Sequence, residues 1–228
     1  MGEAIELKRP DGNSCAAYLA EPNASAAAPG VVVIQEWWGL NDQIKGVANR
    51  LAEAGYRALV PDLFRGKLAR NADEANYHMA ALDFAAAARQ DIRGAAQHLK
   101  ATGSQQTAVW GYCMGGALSI IGAAHVPELD AAVCFYGLAP EAAADPRTIR
   151  IPFCGHFAEN DEWCSPPAVA ELEQQLAESG VPHEIHRYDA SHAFCNESRP
   201  EVYDPGAAKH AWERSIAFLA RTFSLTPC

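Results

Sequence analysis

The chain has 228 residues, 49% of them hydrophobic, enough to bury one substantial core and in keeping with a single α/β domain spanning 1–228. Eighteen basic side chains against 28 acidic ones give a formal charge of −10, and no Lys/Arg-rich run offers the basic stripe that a nucleic-acid partner needs. The apolar runs are broken well short of the length of a membrane span.

The opening "MGEAIELKRP" lacks the apolar core of a signal peptide, and Glu6 stands where N-myristoylation requires Ser or Thr. Seven cysteines, an odd number scattered without a framework spacing, read as reduced thiols, so a cytoplasmic location is expected. "AIELKRPDGNSCAAYLAEP" predicts two short strands around an Asp-Gly turn, and the short "NASAAAPG" at 23–30 reads as a linker. "GVVVIQEWWGL" predicts a buried strand and a loop. Over 41–54, Ile44, Val47, Ala48 and Leu51 share one helical face. "GYRALVPDLF" returns as a strand that Pro61 ends, and the alanine-rich 72–100 is expected to be helical.

The second half repeats this alternation. "TAVWGYC", "DAAVCFYG", "IRIPFCGHFAEND" and "VPHEIHRYD" predict strands, "GALSIIGAA" and "PPAVAELEQQLAESG" helices, and a last helix covers roughly 207–222. Strands alternating with helices imply a mostly parallel central sheet with helices on both faces. In such sheets reactive groups gather beyond the C-terminal ends of the strands.

Gly111-Tyr112-Cys113-Met114-Gly115 sits between a strand and a helix, which is the nucleophile-elbow pattern with Cys in place of Ser. The flanking glycines permit the tight turn, and the start of a helix favours a thiolate there. A cysteine nucleophile needs a base and a group to orient it. In the α/β-hydrolase chain order of nucleophile, acid and histidine, Asp161 follows one predicted strand and His192 the next. His125, His156, His183 and His186 are rival bases; His183 and His186 lie in or beside a strand and read as structural or exposed. Asp189 is the nearest rival acid, but it precedes His192 too closely to reach round to its ring.

These segments resemble the dienelactone hydrolase (carboxymethylenebutenolidase) family. "VVVIQEWWGL", "GYRALVPDLF", "GYCMGGAL", "AENDEWCSP" and "DASHAF" carry the resemblance, in the family's order, over nearly the whole chain. It implies an α/β-hydrolase fold and a Cys113–His192–Asp161 triad. The activity implied is opening of a lactone or enol ester, through a thioacyl-enzyme, to a maleylacetate-type acid. It also implies that Glu36 is a carboxylate contacting the cysteine at rest, and that the Met114 and Trp37 amides form the oxyanion hole. An anionic Glu36 would favour protonated Cys113, so a substrate that engages Glu36 would free the thiol.

A carboxylate-bearing substrate meeting a protein of this charge calls for a local arginine. The family pattern places one where this chain has Asn196, which leaves Arg199 as the nearest replacement, and another near Arg70, with Arg65 close by. Trp37, Trp38, Tyr77, Tyr136, Trp163 and Phe194 are the aromatic side chains expected near the site; Tyr136 reads as half structural, while Trp37 and Phe194 flank catalytic positions and are expected to line a flat apolar pocket.

Cys154-x-His156 and His192-x-x-Cys195 together offer four zinc-type ligands, but neither pair has a finger spacing, and no metal or cofactor is expected. The rival enzyme reading is a broader thiol carboxylesterase acting on neutral esters. A non-catalytic α/β-hydrolase scaffold ranks below both, because all three triad positions are kept. The expected partner is a small-molecule ester or lactone, and the expected assembly a monomer or small homo-oligomer, with no nucleic acid and no membrane.

Overall fold

The structure, a computed structural model, describes residues 2–23 and 27–224. Residues 24–26 of the expected linker and Cys228 lie outside the described residues. In chain order the elements are β1 (Glu3–Lys8), β2 (Ser14–Ala20), β3 (Gly30–Ile34), α1 (Asp42–Glu53), β4 (Arg57–Pro61) and α2 (Ala72–Ala80). Then come α3 (Phe84–Ala86), a π-helical turn (Ala87–Ile92), α4 (Arg93–Ala101), β5 (Thr107–Tyr112), α5 (Met114–His125) and β6 (Ala131–Phe135). A 3₁₀ turn (Pro146–Thr148), β7 (Phe153–Asn160), α6 (Pro166–Ser179), β8 (His183–Ser191) and α7 (Pro205–Thr222) complete it.

The eight strands form one sheet in the order β1-β2-β4-β3-β5-β6-β7-β8. β1 and β2 are antiparallel around the expected turn, where Gly12 takes φ +85°, and β2 pairs antiparallel with β4. Every other pairing is parallel. The runs GVVVI and AAVCF are buried throughout, as strands covered on both faces must be. On one face lie Ile44, Val47 and Leu51 of α1 with Phe218 and Leu219 of α7. On the other lie Ile92, Leu99, Leu118, Ile121, Leu172 and Leu176.

Local signals set the helix ends. Asn41 caps α1 by accepting from the Ile44 amide at 3.1 Å, and Asp204 caps α7 by accepting from Ala207 at 2.8 Å, with Pro205 at the first helical position. Gly180, left-handed at φ +76°, ends α6. The alanine-rich stretch expected to be helical over 72–100 is divided: the chain turns at 81–83, and Asp83 restarts it by capping Ala86 at 3.0 Å. The π-helical turn that follows carries Asp91, whose buried carboxylate takes Arg65 Nη2 at 2.9 Å from both oxygens.

Register decides what meets at the C-terminal edge of the sheet. Tyr112 pairs with Phe135, so Cys113 and Tyr136 leave their strands side by side. Asn160 pairs with Ser191, so Asp161 and His192 do the same. No helix among the described residues is long and apolar enough to cross a membrane.

Candidate active site

Cys113 holds φ +55° at the corner between β5 and α5, a conformation that L-residues avoid. The neighbouring glycines make room for it. A Cβ at Gly111 would collide with the Gly115 carbonyl, and one at Gly115 would lie 2.5 Å from the Ile34 oxygen. Tyr136 (φ +38°) and Ala193 (φ +64°) are also in the left-handed region, so backbone strain concentrates around this edge of the sheet.

The strained corner presents the thiol to an imidazole. Cys113 Sγ lies 3.1 Å from His192 Nε2, and His192 Nδ1 lies 2.7 Å from Asp161 Oδ2. Asp161 Oδ1 accepts from the Trp163 and Cys164 amides at 2.8 and 2.9 Å, which fixes the carboxylate on its loop. Burial alone would raise the Asp161 pKa, but the hydrogen bonds from His192 and those two amides outweigh it and hold the carboxyl below its usual value. With Asp161 accepting at Nδ1, the ring proton sits there and Nε2 is left to accept from the thiol.

Glu36 lies behind this row in the loop after β3 and is 4% exposed. Its Oε1 accepts from the Tyr136 hydroxyl at 3.1 Å and its Oε2 from Asn196 Nδ2 at 2.7 Å. Burial raises its pKa, against the opposing pull of those two donors. Burial, and then the Glu36 charge, push the Cys113 thiol well above its usual value, against the Met114 amide. The resting sulfur is therefore a protonated thiol turned toward His192, while the Glu36 oxygens are taken up by Tyr136 and Asn196. Replacing Glu36 with Gln removes a like charge, so the pH midpoint of Cys113 alkylation by iodoacetamide is expected to move downward. An unmoved midpoint would mean that Glu36 only braces its loop.

A cavity of about 800 Å³ opens over these groups, lined by Glu36, Trp37, Cys113, Met114, Tyr136, His192 and Arg199 among others. Other residues proposed from sequence lie elsewhere. Arg70, 84% exposed at its side chain, pairs with Glu74 at 2.7 Å, and it shares a separate surface groove with Tyr77. Arg65 is engaged by Asp91. Trp38 packs edge-on to Trp37, and Phe194 is fully buried against Tyr136 and Tyr188, so neither is on the cavity wall. Asn196 is buried behind Glu36. Asp189 is exposed and accepts from Asn160 at 3.1 Å, away from His192.

The rival histidines are engaged elsewhere too. His125 meets the Ala143 carbonyl, His183 the Val181 carbonyl, and His186 the Glu184 carboxylate. His156 is held by Tyr188 at 2.9 Å and Ser215 at 2.7 Å, with Cys154 Sγ 3.4 Å away. The two cysteine–histidine pairs weighed for zinc do not converge. Cys154 groups with Glu184 and His186, His192 groups with Asp161 and Cys164, and Cys195 borders a different surface pocket.

The hydrogen bonds that Tyr136 and Asn196 give to Glu36 are what sequence reasoning does not reach. An aromatic after a buried strand looks like core, and only the register beside Cys113 brings Tyr136 to Glu36.

The sequence pattern that defines the dienelactone hydrolase family matches residues 15–223. The chain belongs to that family. It is 35% identical to protein usf of Aquifex pyrophilus over 96% of this chain and 97% of that one. It is 32% identical, over the same shares, to a protein of Aquifex aeolicus (strain VF5) provisionally named carboxymethylenebutenolidase. A crystal structure from Klebsiella pneumoniae subsp. pneumoniae MGH 78578, provisionally described as a dienelactone hydrolase, superposes with a TM-score of 0.85 at 27% identity, covering 96% of this chain and 99% of that one. The sheet and its helices are accordingly the α/β-hydrolase fold, and this dienelactone hydrolase family member is a carboxylic ester hydrolase acting on a small-molecule ester or lactone.

Proposed function

We propose that the chain hydrolyses esters or lactones through a thioacyl-enzyme, with Cys113 as nucleophile, His192 as general base and acid, and Asp161 as its orienter. The observation that carries this reading is the row of contacts itself, 3.1 Å from sulfur to Nε2 and 2.7 Å from Nδ1 to the carboxylate. His192 Nε2 takes the thiol proton as Sγ attacks the carbonyl carbon. The carbonyl oxygen becomes an oxyanion held by the Trp37 and Met114 amides, both at the cavity wall. On collapse the C–O bond breaks, and His192 returns the proton to the departing oxygen. Water, deprotonated by His192, then cleaves the thioester to release the acid and restore the thiol.

An enolate leaves more readily than an alkoxide, so a soft sulfur nucleophile suffices for an enol ester or enol lactone of the dienelactone type. For a lactone, the acid and the released hydroxyl or enol end remain in one product. The six described cysteines are free thiols, which supports the expected cytoplasmic setting.

The test is rapid-quench reaction with p-nitrophenyl acetate. A burst of p-nitrophenolate equal to the enzyme concentration is expected, with the acetyl group on the peptide that contains Cys113. Acetyl found on another side chain, with Cys113 unmodified, would overturn the mechanism.

A further inference from the structure

The family resemblance implies a substrate with a carboxylate, and such a group needs a cation within reach. Among the described residues lining the cavity, Arg199 is the one arginine or lysine, and it is already engaged. Its Nε lies 2.8 Å from Glu201 Oε1, and its guanidinium carbon sits 5.8 Å from the centre of the Trp38 ring. Two carboxyl groups, Glu36 and Glu162, share the same wall. Glu36, whatever its protonation, supplies no positive charge, and its two donors are fixed on it. Arg199 keeps its Nη donors, but its charge is offset by Glu201, and a carboxylate reaching it would also approach Glu162, on a protein of charge −10.

Apart from Asn160, Ser191 and the groups of the catalytic row, the rest of the wall is mostly apolar. Met79, Phe84, Ala117, Leu138 and Pro140 converge on it from α2, α3, α5 and the loop after β6. Trp163, 72% exposed in the loop that carries Asp161, stands at the rim. In the proposed reaction the acyl group stays on Cys113 through both chemical steps, so it is the part of the substrate that this wall must accommodate.

We infer that this site takes an uncharged ester whose apolar acyl chain lies on the Met79–Phe84–Leu138 wall, and that it disfavours an acyl chain ending in a carboxylate. The inference rests on the thioacyl reading above. It specifies the substrate class, where that reading specifies only the reaction.

A matched pair of substrates tests it: p-nitrophenyl hexanoate and mono-p-nitrophenyl adipate have the same leaving group and the same acyl length, and differ in one terminal carboxylate. For the wild-type protein, kcat/KM is expected to be about tenfold or more higher for the hexanoate, since one unmatched charge at a low-dielectric wall is worth at least that factor. Arg199→Ala is expected to leave the adipate KM within about threefold of wild type, because Glu201 offsets the Arg199 charge and Glu162 opposes a substrate carboxylate on the same wall. Equal or faster hydrolysis of the adipate, with its KM rising selectively in Arg199→Ala, would overturn the inference while leaving the thioacyl chemistry in place. Hydrolysis that persists in Cys113→Ala would instead overturn the chemistry, with the preference still read from the two rates. No turnover of either ester would sink both.

Discussion

Cys113→Ala is expected to lower kcat for p-nitrophenyl hexanoate by on the order of 10⁴- to 10⁶-fold while leaving the thermal unfolding midpoint nearly unchanged. The two halves of this expectation have separate physical grounds. Without sulfur the proposed thioester cannot form, and on that reading what remains is the background rate aided by binding and by the proposed oxyanion hole of the Trp37 and Met114 amides. The fold should tolerate the change because alanine, like cysteine, carries a Cβ. The φ of +55° at this corner is no more strained than before, and the Gly111 and Gly115 contacts that permit the turn are untouched. Losing one partly exposed sulfur atom is a change of about 1 kcal/mol or less. Activity and melting must therefore be measured on the same preparation. Retention of most activity with an intact fold would require another nucleophile. Ser119 is a poor one, being buried and donating to the Gly115 carbonyl at 2.9 Å.

What the sequence made legible was whatever depends on local pattern or on chain order. The buried runs GVVVI and AAVCF, the Asp-Gly turn and the strand–Cys113–helix corner each announce themselves within about ten residues. Asp161 and His192 were reachable because each is the first residue past a strand, and parallel strands place such positions on one edge. The parts that were not legible depend on which side chains turn toward each other across distant segments. Arg70 looks available for a substrate carboxylate, but Glu74, in the first turn of α2, takes it. Phe194, two residues from His192, looked like pocket lining, yet the chain at Ala193 takes a left-handed conformation and Phe194 packs inward against Tyr136 and Tyr188. Asn196 read as a missing arginine, whereas it is the donor that holds Glu36. Nothing in the composition of 72–100 marks the turn at 81–83 apart from Asp83, whose capping role is plain only once the helix beyond it is seen.

His192→Ala should cost about 10² to 10⁴ in kcat/KM, the usual contribution of a general base, and should change how the remaining activity depends on pH. In the proposed mechanism the proton leaves Cys113 for Nε2, 3.1 Å away, as the bond to carbon forms, so the sulfur need not be ionised beforehand. Without the ring only pre-formed thiolate attacks. Burial and the Glu36 charge hold the thiol above its ordinary pKa, so little thiolate exists near neutrality. The residual rate should then climb about tenfold per pH unit into the alkaline range, following the ionised fraction of the sulfur. Exogenous imidazole should restore part of the neutral-pH rate by occupying the vacated space. The same substitution leaves the buried Asp161 carboxylate with only the Trp163 and Cys164 amides as donors, a loss of about 1–3 kcal/mol that a denaturant titration should register. A residual rate that is flat with pH and indifferent to imidazole would mean that His192 does not handle the thiol proton. The 3.1 Å contact would then have to be reinterpreted as a packing feature of the resting site.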